Sequence, residues 1–225
     1  MEDQGGSLVS DGATFARSLG ALKQEGSNIL LVGTETAEAH EMACHRLLGA
    51  ADRDAVYRLH VTGETSRVAC EGTCGGPETE RFRTIDYSTL TAEPETDSVT
   101  DEGRSPLAAL GIEIVETVDE FAAKADGLAP SDLRICVDSL VPLCHEYETE
   151  TVFRLLHMAT SRVDQDRGMG HYHLPLARDH RLVHLFEPLF DAVVTVRSRD
   201  GIAEHRWSLR NPETTTDWLE LSRSR

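Results

Sequence analysis

Cysteine, histidine and acidic side chains are the groups in this chain that could do chemistry, and their spacing limits what that chemistry is. Cys70-Glu-Gly-Thr-Cys74 sets two thiols four residues apart in a glycine-rich stretch. The spacing is metal-like, but a structural zinc takes four ligands, and His60 is the nearest further candidate in sequence. Two loop thiols open to oxidation are expected there, with a Cys-based metal or redox sensor as the alternative. His171-Tyr-His173 puts two imidazoles on one face of a strand, because side chains repeat every two residues. With Cys144, His145 or Asp138 they could hold a metal. The plainer expectation is a strand face packed on a helix with its hydrogen bonds satisfied. His180 and His184 stand four apart on a helix, a spacing compatible with metal and here expected at the surface. Cys44 and Cys136 lie in apolar segments and are expected as small core residues, and Cys136 and Cys144 form no matching pair. Ser139 and Cys144 do not sit in a G-x-S-x-G elbow, and no hydrolase triad is visible. No catalytic residue, metal or cofactor is assigned on this basis.

The composition bounds the classes further. The chain has 225 residues and 40% hydrophobic content, which suits one α/β domain with a full core. Asp and Glu total 39 against 22 Lys and Arg, a formal net charge of −17, and the only lysines are Lys23 and Lys124. A surface of that sign disfavours nucleic-acid phosphates and anionic membranes. An acidic, lysine-poor chain resembles proteins of salt-loving archaea, where a short Debye length screens self-repulsion. The first residues, MEDQGGSLVSDG, lack the basic and apolar regions of a secretory signal, and no apolar run is long enough to cross a bilayer. A cytoplasmic location is expected, and five cysteines, an odd count, then make a disulfide framework unlikely.

Elements that would position these groups follow from periodicity. Residues 1–27 read as a leader with a first helix over 12–23, residues 28–210 as the domain, and 211–225 as a tail. NILLVG (28–33) has the pattern of a buried parallel strand ending in glycine. A helix is expected over 35–49, strands over 55–62 and 82–87, and a solvated loop over 88–105. Ser105-Pro106 can start a helix, and Thr117-Val-Asp-Glu120 matches a capping box ahead of Phe121. LRICVDSL (133–140) reads as a buried strand, 149–165 as a helix, 171–176 as a strand and 181–190 as an amphipathic helix. Residues 192–197 and 202–209 alternate around Arg199-Asp-Gly201, a β-hairpin signal. Strands alternating with helices predict a mostly parallel sheet, with the hairpin adding antiparallel strands at one edge.

Taken together, NILLVG, a helix, LRICVDSL nearly a hundred residues later, then a helix and DAVVTVR resemble the RecA/KaiC branch of P-loop ATPases. The run "DSL … VFRLLH … HYHLP … LFDAVV … RW" is similar to a haloarchaeal family of KaiC-like domains of unknown function. The resemblance covers roughly residues 28–210 and implies a three-layer αβα fold. It also implies a phosphate loop, G-x-x-x-x-G-K-[ST], after the first strand, whose N–H groups cradle phosphates, whose lysine neutralises charge and whose hydroxyl holds Mg²⁺. Here Gly33 is present, but the Gly-Lys-Ser/Thr positions read Glu38-Ala39-His40. Glu35, Glu38 and Glu41 populate the first turns of the following helix, where an anion would otherwise bind. At an effective dielectric of about 20 and 4 Å, each such contact with phosphate costs about 4 kcal/mol before screening. Asp138 takes the Walker B position with Ser139 after it. The plainer reading is that the pair ends the strand and caps the next turn. Glu64 falls roughly where KaiC-like ATPases carry catalytic acids, and Arg206-Trp207 where a basic residue of a RecA-type ring can reach a neighbour's nucleotide. Without a nucleotide site, Arg206-Trp207 is expected as a packed corner. The implied function is a pseudo-ATPase: a regulatory or scaffolding module that binds a protein partner or a second copy of itself. A nucleotide hydrolase using Asp138 with a rearranged phosphate site is the alternative.

Overall fold

The computed structural model describes residues 5–34, 37–49, 56–63, 79–88, 105–210 and 213–222, with side chains described from Phe15 onward except that of Ala37. The expectations for Glu35, Glu64, Cys70 and Cys74, and for most of the 88–105 loop, lie outside the described residues. In chain order the elements are α1 (Gly5–Glu25), β1 (Ser27–Val32), α2 (Ala37–Leu48), β2 (Tyr57–Thr62), β3 (Phe82–Asp86), α3 (Pro106–Lys124) and β4 (Leu133–Val137). There follow α4 (Val141–Glu146), α5 (Thr149–Gln165), β5 (Met169–Leu174), α6 (Arg181–Phe186), a 3₁₀ turn (Glu187–Leu189), β6 (Ala192–Arg199), β7 (Ile202–Arg210), β8 (Glu213–Thr215) and β9 (Leu219–Glu220).

The chain is a mixed α/β protein built on a mostly parallel sheet. The strand order is β3-β2-β4-β5-β1-β6-β7-β8, with β9 also on β7. The first six strands run parallel. β6 and β7 form the antiparallel hairpin expected from the sequence. Asp200 and Gly201 both take positive φ, 53° and 77°, as a two-residue hairpin turn requires. Segments 213–215 and 219–220, in the stretch read as a tail, continue the antiparallel edge.

β1, β4 and β5 are buried along their whole length, which is why they read as apolar runs rather than alternating ones. Each face has its own core. On one, Leu30, Leu59, Ile135, Tyr172 and Val193 pack under Leu110, Ile114 and Phe121 of α3 and Leu155, Leu156 and Val163 of α5. On the other, Ile29, Leu31, Met169 and Val194 pack under Ala39 and Ala43 of α2, with Phe15, Leu19 and Leu22 of α1 against them.

Several local expectations change. Thr117 does not cap a helix: α3 runs unbroken from Pro106, its start fixed by Ser105, whose hydroxyl accepts from the Ala108 N–H, and Thr117 Oγ1 donates to the Glu113 carbonyl within the helix. The strand expected over 133–140 stops at Val137, and Asp138-Ser139-Leu140 turns into α4. The helix expected over 181–190 ends at Phe186, where Pro188 helps convert the continuation to a 3₁₀ turn. The first helix is longer than 12–23 and begins at Gly5.

Asn28 anchors α5 to the sheet centre. Its Nδ2 donates to the Thr160 carbonyl at 3.1 Å and to Asp164 Oδ1 at 2.7 Å, and its Oδ1 accepts from the Tyr172 hydroxyl at 3.2 Å. Its own N–H donates to Asp191 Oδ2 at 2.8 Å. Burial, the Asp191 charge and the opposing Asn28 hydrogen bond together leave the Asp164 carboxyl above its ordinary pKa.

Candidate functional site

β1 and β5 lie side by side, yet the chain leaves β1 toward β2 and leaves β5 toward β6, on opposite sides of the sheet. In open α/β sheets, connections that leave neighbouring strands in opposite directions mark the place, outside the carboxyl ends, where ligands bind. Gly33 and the start of α2 stand at that place. Gly33 has φ +138°, and a Cβ added there would lie 2.2 Å from the Val196 carbonyl oxygen of β6. Only glycine fits so close an approach of two backbones.

Both backbone groups of Gly33 are engaged within the protein. The Gly33 N–H donates to the Leu176 carbonyl at 2.9 Å, and the Gly33 carbonyl accepts from His40 Nε2 at 2.9 Å. His40 is 2% exposed and turns its Nε2 back under the turn onto that carbonyl. Ala39 is buried in the core between α2 and the sheet, and Glu38 stands exposed in the first turn of α2. Glu41 lies one turn on, 3.6 Å from His45.

Below His40 the hydrogen bonds continue. His40 Nδ1 lies 3.1 Å from His173 Nδ1. Burial holds the His40 imidazole below its ordinary pKa against the raising effect of the Gly33 bond, so the ring is neutral. A carbonyl only accepts, so the His40 proton sits on Nε2 and His40 Nδ1 accepts from His173 Nδ1–H. That tautomer leaves His173 with its lone pair on Nε2. Next along the strand, His171 Nε2 lies 3.2 Å from Cys44 Sγ, and Cys44 Sγ lies 3.7 Å from Cys136 Sγ. Topology makes the cluster: Cys136 on β4 is the lateral partner of His171 on β5, and α2 lowers Cys44 onto both.

The histidine pair therefore meets Cys44 and Cys136, not Cys144, His145 or Asp138. The two cysteines are core residues, but they form one cluster with the imidazoles. A signal for this lay in the sequence: His40 and Cys44 are four apart, on the inward face of the helix, as His171 and His173 are two apart on one strand face. Their meeting with Cys136 depends on strand order, which no local spacing reveals. Cys144 is half-buried against the other core, and burial pushes its thiol pKa up to about 11. His60 pairs laterally with Cys136 from β2, one strand further out.

Asp138 is buried at the end of β4, its N–H on the Val61 carbonyl and its Oδ2 3.4 Å from Thr62 Oγ1. Ser139 Oγ accepts from the Val141 N–H at 3.3 Å, and the Ser139 carbonyl accepts from Tyr87 Oη at 3.3 Å. The pair thus ends the strand and starts α4. Burial, then the charges of Asp138, Glu146 and Asp86, holds the Tyr87 phenol protonated. His180 caps α6, its Nδ1 accepting from the Leu182 N–H, and His184 is exposed 3.9 Å from Glu187. Trp207 is buried, its Nε1–H donating to His205 Nδ1 at 3.1 Å, and Arg206 lies over the Trp218 ring at 4.9 Å. Burial and the Arg46 charge lower the His205 pKa to about 4, keeping it an acceptor at neutral pH. A separate cavity of about 370 Å³ opens between α1, α2 and the sheet, with Arg46, Arg134 and His205 among its walls.

A family model matches residues 26–196, most of the chain and all of the parallel sheet through Val196. The chain belongs to DUF7504, a family of unknown function. A search of curated proteins finds no match. The DUF7504 segment takes in the Gly33 turn, the buried histidine–cysteine cluster and Asp138, and leaves α1 and β7 to β9 outside. Among the described residues of this DUF7504 chain, no helix is long and apolar enough to cross a membrane.

Proposed function

We propose that this chain is a RecA/KaiC-like domain of three αβα layers that has lost nucleotide chemistry and works as a regulatory or scaffolding module in a salt-rich cytoplasm. One observation carries the reading: both backbone groups of Gly33 are consumed within the protein, its N–H by Leu176 and its carbonyl by His40. A phosphate loop grips its ligand with outward N–H groups and a lysine ammonium. Here the glycine's amide is spent and a buried neutral imidazole takes the hydroxyl's place. An exposed Glu38 adds negative charge at the start of α2. The strand order supports the layout, with β5 between the Gly33 strand and the Asp138 strand.

With chemistry lost, the preserved fold serves binding. A partner protein, or a second copy of the chain, is the occupant in keeping with a net charge of −17, which repels nucleic acid and anionic lipid. Steady-state ATP and GTP turnover in multimolar KCl tests the reading against a hydrolase built on Asp138. We expect a flat baseline, unchanged in Asp138→Ala. Turnover above background that falls at least about tenfold in the variant, the loss of about 1.4 kcal/mol of transition-state stabilisation, would establish the hydrolase instead.

A further inference from the structure

The cluster beneath α2 has the donor set of a metal site. Cys44, Cys136, His171 and His173 each offer one ligand atom, and the four atoms lie within 4.8 Å of one another. All four residues are buried, none more than 2% exposed. Zinc bound tetrahedrally, with Zn–S about 2.3 Å and Zn–N about 2.05 Å, separates its ligand atoms by about 3.8 Å for sulfur–sulfur and about 3.5 Å for sulfur–nitrogen. The distances here are 3.7 Å between the sulfurs and 3.2 Å from Cys44 Sγ to His171 Nε2. Both distances fall slightly short of the tetrahedral values, so these two edges open by a few tenths of an ångström, in rough terms, to admit the ion.

Chemistry and surroundings agree with the metric. Two thiolates with two imidazoles in a tetrahedron select zinc among common divalent ions. Two thiols give up their protons on binding, Zn²⁺ replaces them, and the buried unit carries no net charge, which avoids the cost of an isolated ion in the core. A ligating histidine ordinarily has its other ring nitrogen held by a hydrogen bond. His173 has that bond, from Nδ1 to His40, and His40 is itself fixed on Gly33.

We propose that Cys44, Cys136, His171 and His173 bind one zinc ion in a closed structural site that ties α2 to β4 and β5. Four protein donors leave no open position for water or substrate, so the ion holds the Gly33 turn in place rather than performing a reaction. The ion's site stands whether or not nucleotide chemistry has been lost.

The test uses the full chain without a histidine tag, purified under reductant in molar KCl and dialysed against micromolar zinc. Elemental analysis is expected to find about one zinc per chain after free metal is removed, as the tight binding of structural sites dictates. Zinc-edge X-ray absorption on that sample is expected to give a shell of two sulfurs and two nitrogens. Zinc should fall at least fivefold, in rough terms, in Cys44→Ser and Cys136→Ser, and stay in Cys144→Ser and in the Cys70→Ser, Cys74→Ser double variant. Should the ligand variants not fold, the absorption shell of the unaltered chain and the double variant still decide. Less than about one-tenth equivalent in the unaltered chain, given that same affinity, overturns the proposal. So does zinc that leaves with Cys70 and Cys74, a shell of four sulfurs, or a Cys44–Cys136 disulfide in the reduced preparation.

Discussion

Gly33→Ala should lower the unfolding free energy by about 3–5 kcal/mol, a large fraction of a domain's total stability. Two costs combine. The φ of +138° lies where an L side chain is strained, worth about 1–3 kcal/mol. The added methyl would also meet the Val196 carbonyl oxygen at 2.2 Å, and a backbone atom cannot turn aside as a side chain can. Relief requires β1 and β6 to part at their carboxyl ends, or the turn to lift and give up the Gly33 bonds to Leu176 and His40. Denaturant unfolding in fixed molar KCl measures the change. A midpoint within about 0.5 kcal/mol of the parent, the range of an unremarkable surface substitution, would mean that the turn is not packed as described.

Asn28→Ala is expected to cost about 2–4 kcal/mol, because it removes one side chain and strands several partners. Tyr172 is fully buried, and its hydroxyl gives its hydrogen bond to Asn28 Oδ1. The Thr160 carbonyl and Asp164 lose their donor in the same step, so α5 loses its polar tie to β1. The carboxylate adds a pH signature. The Asn28 hydrogen bond is the one influence that lowers the Asp164 pKa, against burial and the Asp191 charge, which raise it. Its removal moves the folded-state pKa further up. A raised carboxyl pKa means that the folded protein holds its proton more tightly than the unfolded chain, so stability is gained as the pH falls through the folded value. The deficit of Asn28→Ala should therefore be largest at neutral pH and shrink on acidification. NMR titration of the Asp164 carboxyl together with unfolding at several pH values measures both. A pH-independent deficit would show that the Asn28–Asp164 bond contributes nothing.

The layout was legible where burial writes itself into composition. β1, β4 and β5 are buried on both faces and appear as apolar runs, and the β6–β7 turn announces itself in Asp200-Gly201. Element ends were less legible. Thr117 and Glu120 match a helix start in isolation, yet the apolar stripe of α3, from Leu107 through Phe121, continues across them, and packing against the sheet outweighs the local motif. The candidate site was half legible. Gly33, Glu38, Ala39 and His40 could be set against a phosphate-loop pattern because that pattern is contiguous in sequence. Asn28 reads in sequence as the first residue of an apolar strand, and nothing adjacent marks it as the partner of Thr160, Asp164 and Tyr172. Cys44 and Cys136 are 92 positions apart and meet only because β4 lies beside β5 beneath α2. Contacts made by strand order carry no local signature.

The proposed function requires that the first turn of α2 and the Gly33 loop do not grip a polyphosphate. Isothermal titration of the intact chain with Mg-ATP in multimolar KCl tests it most directly. The account predicts no saturable heat at ATP concentrations up to about 1 mM, a binding free energy weaker than about 4 kcal/mol. A saturating isotherm with a micromolar dissociation constant would contradict it.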